Sequence, residues 1–386
     1  MATAVPTSPA LAQGAAPSHV LTADYVGGYA GTRAVSWSAA ASYLNWAETS
    51  VPDASAMASA GIKTIDYTDT DRIAPGDPLF SADESLFAHT CDGQRIYRDY
   101  SATTRQYLAD PTSTSLTNAL NGWITSQFGG GHFDALFDDD AASVYGMNAM
   151  PCNYSPSNWT QATAAEFGRI NASIIFNNLT NDSLALADLP NVTGGEVEEC
   201  YARSSNPTAP YTSGDFWTQN ENLELAMARK SKLFFCYNND TESSSSPQGQ
   251  AIRLYTYASF LLSYDPRTSL LWEYFATPSA FHVQPETGLV ATAPLGAAPG
   301  DISGLQTAGG AYAREYAACY IAGQPTGPCA AVVNPDPNAA HAFPLTGYSR
   351  TMTMNGGGVL DGGTIAASGA APPASLAPMS AVIAFK

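Results

Sequence analysis

Residues 133–140, Phe-Asp-Ala-Leu-Phe-Asp-Asp-Asp, read as a short strand that is apolar on both faces at its centre and ends in three carboxylates. A strand that buries both faces belongs to a parallel sheet covered on each side, and such sheets are built from repeated strand–helix units. Adjacent anions repel one another unless a cleft, a metal or a cationic ligand makes use of them. A second run at 192–201, Val-Thr-Gly-Gly-Glu-Val-Glu-Glu-Cys-Tyr, also ends in carboxylates. Two acidic strand ends on one scaffold mark a candidate site.

Apolar runs alternate with helix-like segments through most of the 386 residues. Strands are expected at Ala41–Glu48, Ile62–Tyr67, Gln106–Ala109, Phe133–Phe137, Ser173–Asn177, Val192–Glu198, Lys232–Tyr237 and Ser269–Phe275. Helices are expected at Asp53–Ala60, with Pro52 at its start, and at Ser113–Phe128, Gln161–Ala172, Asn220–Lys230 and Gln250–Leu262. Eight strands are the number that closes a barrel. Insertions occupy Thr68–Tyr100 and Met147–Thr160. From about Ala298 the texture becomes rich in Gly, Ala, Pro and Thr, with short strands at Tyr312–Tyr320, Ala330–Asn334, His341–Thr346, Met352–Met354 and Ala381–Phe385. The expected fold class is therefore α/β: a (β/α)8 TIM barrel over residues 23–297 with a small C-terminal β-sandwich-like domain over 298–386. Residues 1–22 contain Ala-Leu-Ala-Gln and read as the remnant of a leader, or a linker, in a secreted protein.

The formal charge is −18, from 16 basic and 34 acidic residues, which argues against nucleic acid or an anionic membrane as partner. Neutral or cationic polymers fit it. No apolar run reaches transmembrane length. The six cysteines lack Cys-x-x-Cys spacing and read as disulfides, paired Cys319 with Cys329 across a turn, Cys200 with Cys236 at strand ends one barrel step apart, and Cys91 with Cys152 between two insertions. Seven Asn-x-Ser/Thr sequons fit an extracellular surface. The five histidines have no ligand spacing, so no zinc centre is expected, and no Gly-x-Ser-x-Gly elbow or phosphate loop is present. Calcium at Asp138–Asp140, or at Asp69, Asp71 and Asp77, is the structural alternative for the acidic clusters.

Side chains alternate along a strand, so Ala135, Phe137 and Asp139 share one face and Asp134, Leu136 and Asp138 the other. Leu136 suits the helix-facing side, which directs Asp139 to the barrel axis at the C-terminal mouth. The same reasoning sends Val197 to the helices and Gly194, Glu196 and Glu198 to the axis. The two glycines before the carboxylates leave room for a closely approaching ligand. A carboxyl pair of this kind suits glycoside hydrolysis, in which one acid is ionised and the other protonated and no cofactor is needed.

Phe-Asp-Ala-Leu-Phe-Asp-Asp at 133–139 resembles the fourth-strand motif of glycosidase barrels, usually Phe-Asp-Gly-Val-Phe-Leu-Asp, whose last Asp is catalytic. Gly-Gly-Glu-Val-Glu-Glu resembles the later strand of such barrels that delivers a Glu. Ala313-Arg314-Glu315-Tyr316 and Ala331-Val332-Val333-Asn334-Pro335 are similar to signatures of the β-domain that closes glycosyl hydrolase barrels. The resemblance implies Asp139 as nucleophile or base, with Asp138 as the alternative. It also implies Glu198 as general acid, with Glu199 as the alternative if the register slips by one. Trp46, Tyr67, Tyr237, Trp272 and Tyr274 at other strand ends would form a sugar platform, and Asp66, Asp110, Asn177, Glu196 and Asn238 would bind hydroxyls. The implied ligand is a neutral or cationic glycan. A carbohydrate-binding protein that has lost catalysis is the competing expectation.

Overall fold

The computed structural model describes residues 18–25, 36–139, 147–176, 190–279 and 281–386. Eight parallel strands close into a barrel. In chain order they are β1 Leu21–Tyr25, β2 Trp46–Glu48, β3 Lys63–Thr68, β4 Ala135–Asp138, β5 Ile174–Phe176, β6 Gly194–Val197, β7 Leu233–Ser243 and β8 Ser269–Ala276. Each pairs with its chain neighbours, and β8 closes the ring on β1 through Leu21↔Leu270 and Ala23↔Trp272.

Closure gives every strand two buried faces, and the side chains sort by parity. Ala23, Trp46, Ile65, Ala135, Phe137, Ile175, Phe235, Leu270 and Trp272 pack together inside the barrel. The alternate residues Leu136, Ile174, Val197, Phe234, Cys236 and Leu271 join the layer between sheet and helices. Gly194 serves a packing need: a Cβ there would lie 2.5 Å from the Leu233 carbonyl oxygen, so at this position glycine lets β6 and β7 approach rather than making room for a ligand.

The covering helices include α1 Val51–Ser59, α2 Thr114–Gly131, α3 Pro156–Phe167, α4 Gly214–Arg229 and α5 Pro247–Ser263. Ser113, Ser155 and Ser246 cap α2, α3 and α5, each accepting a backbone N–H three residues on. Helix α5 is buried at nearly every position from Ile252 to Ser263 because the barrel covers one side and the C-terminal sheet the other.

Three strands differ from expectation. The first barrel strand, Leu21–Tyr25, begins in the stretch read as a leader or linker. Its polar residues disguise it: Thr22 is buried because its hydroxyl donates to the Tyr43 carbonyl at 2.5 Å, and Asp24 because it accepts the His282 N–H at 3.0 Å. Ala41–Glu48 contributes only Trp46–Glu48 as strand. Arg105–Leu108, which overlaps the expected third strand, lies outside the barrel. It forms an antiparallel side sheet with Arg72–Ile73 and Tyr97–Asp99, and its half-buried side chains suit that surface position. From β4 onward the expected order holds.

The C-terminal region is a five-stranded antiparallel sheet made of β9 Leu289–Pro294, β10 Tyr312–Ile321, β11 Gln324–Asn334, β12 Arg350–Thr351 and β13 Ser380–Phe385, in the order β9-β10-β11-β13-β12. His341–Ala342 pairs with Ser375–Leu376, and Thr353–Asn355 with Thr364–Ala366. Its first strand lies ahead of the change in texture at 298. Disulfides join Cys91 to Cys152, Cys200 to Cys236 and Cys319 to Cys329, with Cα separations of 4.8, 5.3 and 5.9 Å. Among the described residues no helix is long and apolar enough to cross a membrane.

Arg253 on α5 is one polar link between the barrel and the C-terminal region. It is fully buried, and its guanidinium donates to both Glu286 oxygens, to the Ser244 carbonyl at 2.7 Å and to the Gly356 carbonyl at 3.1 Å. Removing one partner of a buried pair strands the other charge. Arg253→Met should lower the unfolding free energy by about 3–5 kcal/mol in urea titration. A loss under about 1 kcal/mol would show that the pair does not hold the two parts together.

Candidate active site

The C-terminal ends of the barrel strands surround a cavity of about 600 Å³. Four carboxylates line it: Glu48 at the end of β2, Asp139 just after β4, Glu196 within β6 and Glu198 just beyond it. No Lys, Arg or His is among the described residues that line it.

Asp139 continues the barrel ladder, its N–H bonded to the Thr68 carbonyl at 2.8 Å, which keeps its side chain on the Phe137 face. The Tyr67 hydroxyl donates to Asp139 Oδ2 at 2.5 Å. The Tyr67 ring in turn stacks on Phe137, with planes 17° apart, so one aromatic pair fixes the orientation of the carboxylate. Glu196 is buried, and its carboxyl is pushed well above the ordinary range, first by burial and then by Glu198, Asp139 and Glu48. That mutual influence puts the four acids in one electrostatic unit. Burial, then Asp139 and Asp66, pushes Glu48 up to about 8. Near neutral pH, Glu48 therefore carries a proton and acts as a neutral O–H donor, and Glu196 is shifted in the same direction. Glu198 is exposed at the mouth.

The alternatives one residue away point elsewhere. Asp138 is fully buried on the helix side, accepting from the Thr70 N–H at 2.9 Å and the Thr70 hydroxyl at 2.6 Å. Burial and then Asp71 push it well up. Glu199 has φ +54° and accepts from the Ser205 N–H at 2.6 Å and the Ser205 hydroxyl at 2.5 Å, shaping the loop after β6.

Of the expected binding residues, Tyr67, Glu196, Tyr237, Trp272 and Tyr274 line the cavity. Trp46 lies in the barrel interior, edge-on to Phe235 at 5.8 Å, and is not among the lining residues. Asp66 is buried on the other face of β3 from Tyr67, where burial pushes it up to about 6. Asp110 caps the turn into α2, accepting from Thr112 N–H at 2.8 Å and Tyr154 hydroxyl at 2.9 Å. Asn238 accepts the Tyr201 and Ala202 N–H groups at 2.8 and 3.1 Å and so fastens the loop after β6. Asn177 lies outside the described residues, as does Asp140.

Five lining residues went unread: Tyr25, Glu48, Tyr100, Phe137 and Asn239. Parity carried the signal for three of them. Glu48 shares a face with Trp46, Phe137 with Asp139, and Asn239 with Tyr237. Tyr25 sits on the unread first strand. Nothing local marks Tyr100, which reaches the cavity from the insertion after β3. Among the described residues no group of three or more His, Cys, Asp or Glu is arranged to hold a metal ion.

No family model and no curated protein matches this chain. Among solved structures it is similar to the glycoside hydrolase domain of PelA from Pseudomonas aeruginosa, with TM-score 0.45 and 14% identity over 68% of this chain and 95% of that one. It is also similar to Aspergillus fumigatus Ega3 in complex with galactosamine, with TM-score 0.40 and 12% identity over 69% of this chain and 95% of that one. An α-galactosidase from Thermus thermophilus gives TM-score 0.43 and 12% identity over 66% and 58%. These neighbours are glycoside hydrolases, at identities where likeness is one of fold alone.

The protonated carboxyls have a consequence for stability. A buried acid raised to about 8, such as Glu48 or Glu224 on α4, holds a proton that the unfolded chain releases near 4.5. Between those values the folded state binds more protons, so stability falls as pH rises, by about 1 kcal/mol per pH unit for each such group. Urea midpoints should fall from about pH 5 to about pH 8, and Glu48→Gln should make that decline shallower. Parallel pH profiles for the two proteins would contradict a protonated Glu48.

Proposed function

We propose that this protein is a glycoside hydrolase that cleaves an extracellular polysaccharide or oligosaccharide with Asp139 and Glu198. The observation that carries the reading is that these two acids, from β4 and β6, open on one aromatic-lined cavity, with Glu196 under the influence of both. Asp139 is the nucleophile in a retaining mechanism, or the base that activates water in an inverting one. Tyr67 holds it in place with a hydrogen bond from its hydroxyl. Glu198, at the mouth, gives its proton to the departing glycosidic oxygen. Glu48 keeps its proton and offers an O–H group to sugar hydroxyls, which limits the negative charge of the site.

Tyr237 and Trp272, with ring centroids 5.0 Å apart, supply apolar surface for the CH-rich face of a sugar. The acidic lining and the net charge of −18 favour a neutral or cationic glycan over a uronic acid polymer. Three disulfides fit an oxidising, extracellular setting.

Release of reducing ends from a panel of neutral and amino-sugar polysaccharides tests the assignment. Asp139→Asn and Glu198→Gln should each lower turnover by about 10²- to 10⁴-fold while leaving oligosaccharide binding in place. Binding without release of reducing ends by the unmodified protein would identify a non-catalytic carbohydrate-binding barrel instead. Full turnover in either variant would remove that residue from the mechanism.

A further inference from the structure

Tyr100 differs from the other tyrosines of the cavity's inner wall. Tyr67 stacks on Phe137 and bonds Asp139, Tyr237 packs on Trp272, and Tyr274 lies 4.2 Å from the His282 ring. Tyr100 is 69% exposed, and among the described residues its one ring contact is the Arg98 guanidinium, 5.4 Å from the centroid. A lone exposed tyrosine on an open surface needs no explanation. This one lines the cavity that holds the four carboxylates, although it belongs to no barrel strand.

The segment that carries it is braced. Tyr97–Asp99 pairs antiparallel with Arg105–Leu108, and Tyr100 is the first residue of the connecting turn. At the neck of this hairpin Arg105 Nε donates to Asp99 Oδ1 at 2.7 Å, and the Arg105 guanidinium lies over the Tyr97 ring at 3.7 Å. The Tyr97 N–H donates to Asn148 Oδ1 at 2.9 Å, and Cys91–Cys152 ties the insertion to the loop before α3. A ring held at a fixed place with much of its surface in water loses little freedom when a ligand covers it. Aromatic rings with an apolar face and a polar tip are suited to partners that are apolar on one side and hydroxylated on the other.

We infer that Tyr100 is a stacking platform for a sugar unit beyond the scissile bond, so that the protein favours longer oligosaccharides over the shortest ones it cleaves. This rests on the glycosidase reading above. The platform comes from the insertion after β3, whereas the reacting acids come from β4 and β6, so its loss should weaken binding of the outer part of the substrate without touching the chemistry.

The test compares the unmodified protein with Tyr100→Ala and Tyr100→Trp on ladders of two to eight sugar units prepared from cellulose, galactan and chitosan. Product release and direct binding are both measured. For the long members of a cleaved ladder, Tyr100→Ala should raise KM about tenfold at unchanged kcat, the order expected for losing one aromatic contact. The shortest cleaved member should be unaffected, and Tyr100→Trp should behave like the unmodified protein. Tyr100 is exposed, so its truncation removes no buried contact, and the Trp variant controls for misfolding. An equal change at every length, a fall in kcat alone, or no change at any length would overturn the platform while leaving the hydrolase intact. Failure of the unmodified protein to bind or cleave any ladder would instead remove the glycosidase reading, and the platform with it.

Discussion

Closure of a parallel sheet into a ring is the constraint from which the rest follows. Once β8 pairs with β1, every strand has an inner and an outer face and both are dry, so side-chain parity decides where each residue goes. Phe137 and Asp139 face inward, and Leu136 and Asp138 outward. A register slip of one residue in β4 would send Asp139 towards the helices and put Asp138 in the cavity. The packing of Leu136 against the helical layer and of Phe137 beside Trp272 opposes such a slip more strongly than the carboxylates could.

The same ring concentrates acids at its mouth, which has an electrostatic cost. The structure meets that cost by favouring the neutral form of the deeper carboxyls. Burial pushes Glu48 and Glu196 up on the inside, and Asp138 and Glu166 up behind the sheet. The acids given chemical roles sit where water or a donor reaches them: Glu198 is exposed and Asp139 accepts from Tyr67. Depth thus limits how much negative charge the rim carries around the two acids given chemical roles.

Much of this was legible in the chain. The apolar runs around Leu136 and Val197, each followed by carboxylates, gave the parallel sheet and the inward position of Asp139, Glu196 and Glu198. The cysteine pairs followed from spacing and strand ends. Other residues were missed or misread. Leu21–Tyr25 was hidden because Thr22 and Asp24 are buried through hydrogen bonds to distant partners, at Tyr43 and His282, that no local pattern announces. Asp110 and Asn238 looked like ligand groups, yet they spend their polar atoms on turns and loops. Short-range sequence cannot tell a carboxylate that caps a turn from one that faces a cavity, because the difference lies in which backbone N–H groups the fold brings nearby. Tyr100 escaped for the opposite reason: its place depends on how a whole insertion folds back over the rim.

The most direct measurement is a crystal structure of Glu198→Gln bound to an oligosaccharide that the unmodified protein cleaves. The expected result is a glycosidic oxygen within hydrogen-bonding reach of residue 198, an anomeric carbon beside Asp139, and a carboxyl separation of about 5 Å or about 6.5–9.5 Å according to stereochemistry. A sugar bound away from this rim, or carboxyls too far apart to flank one bond, would contradict it.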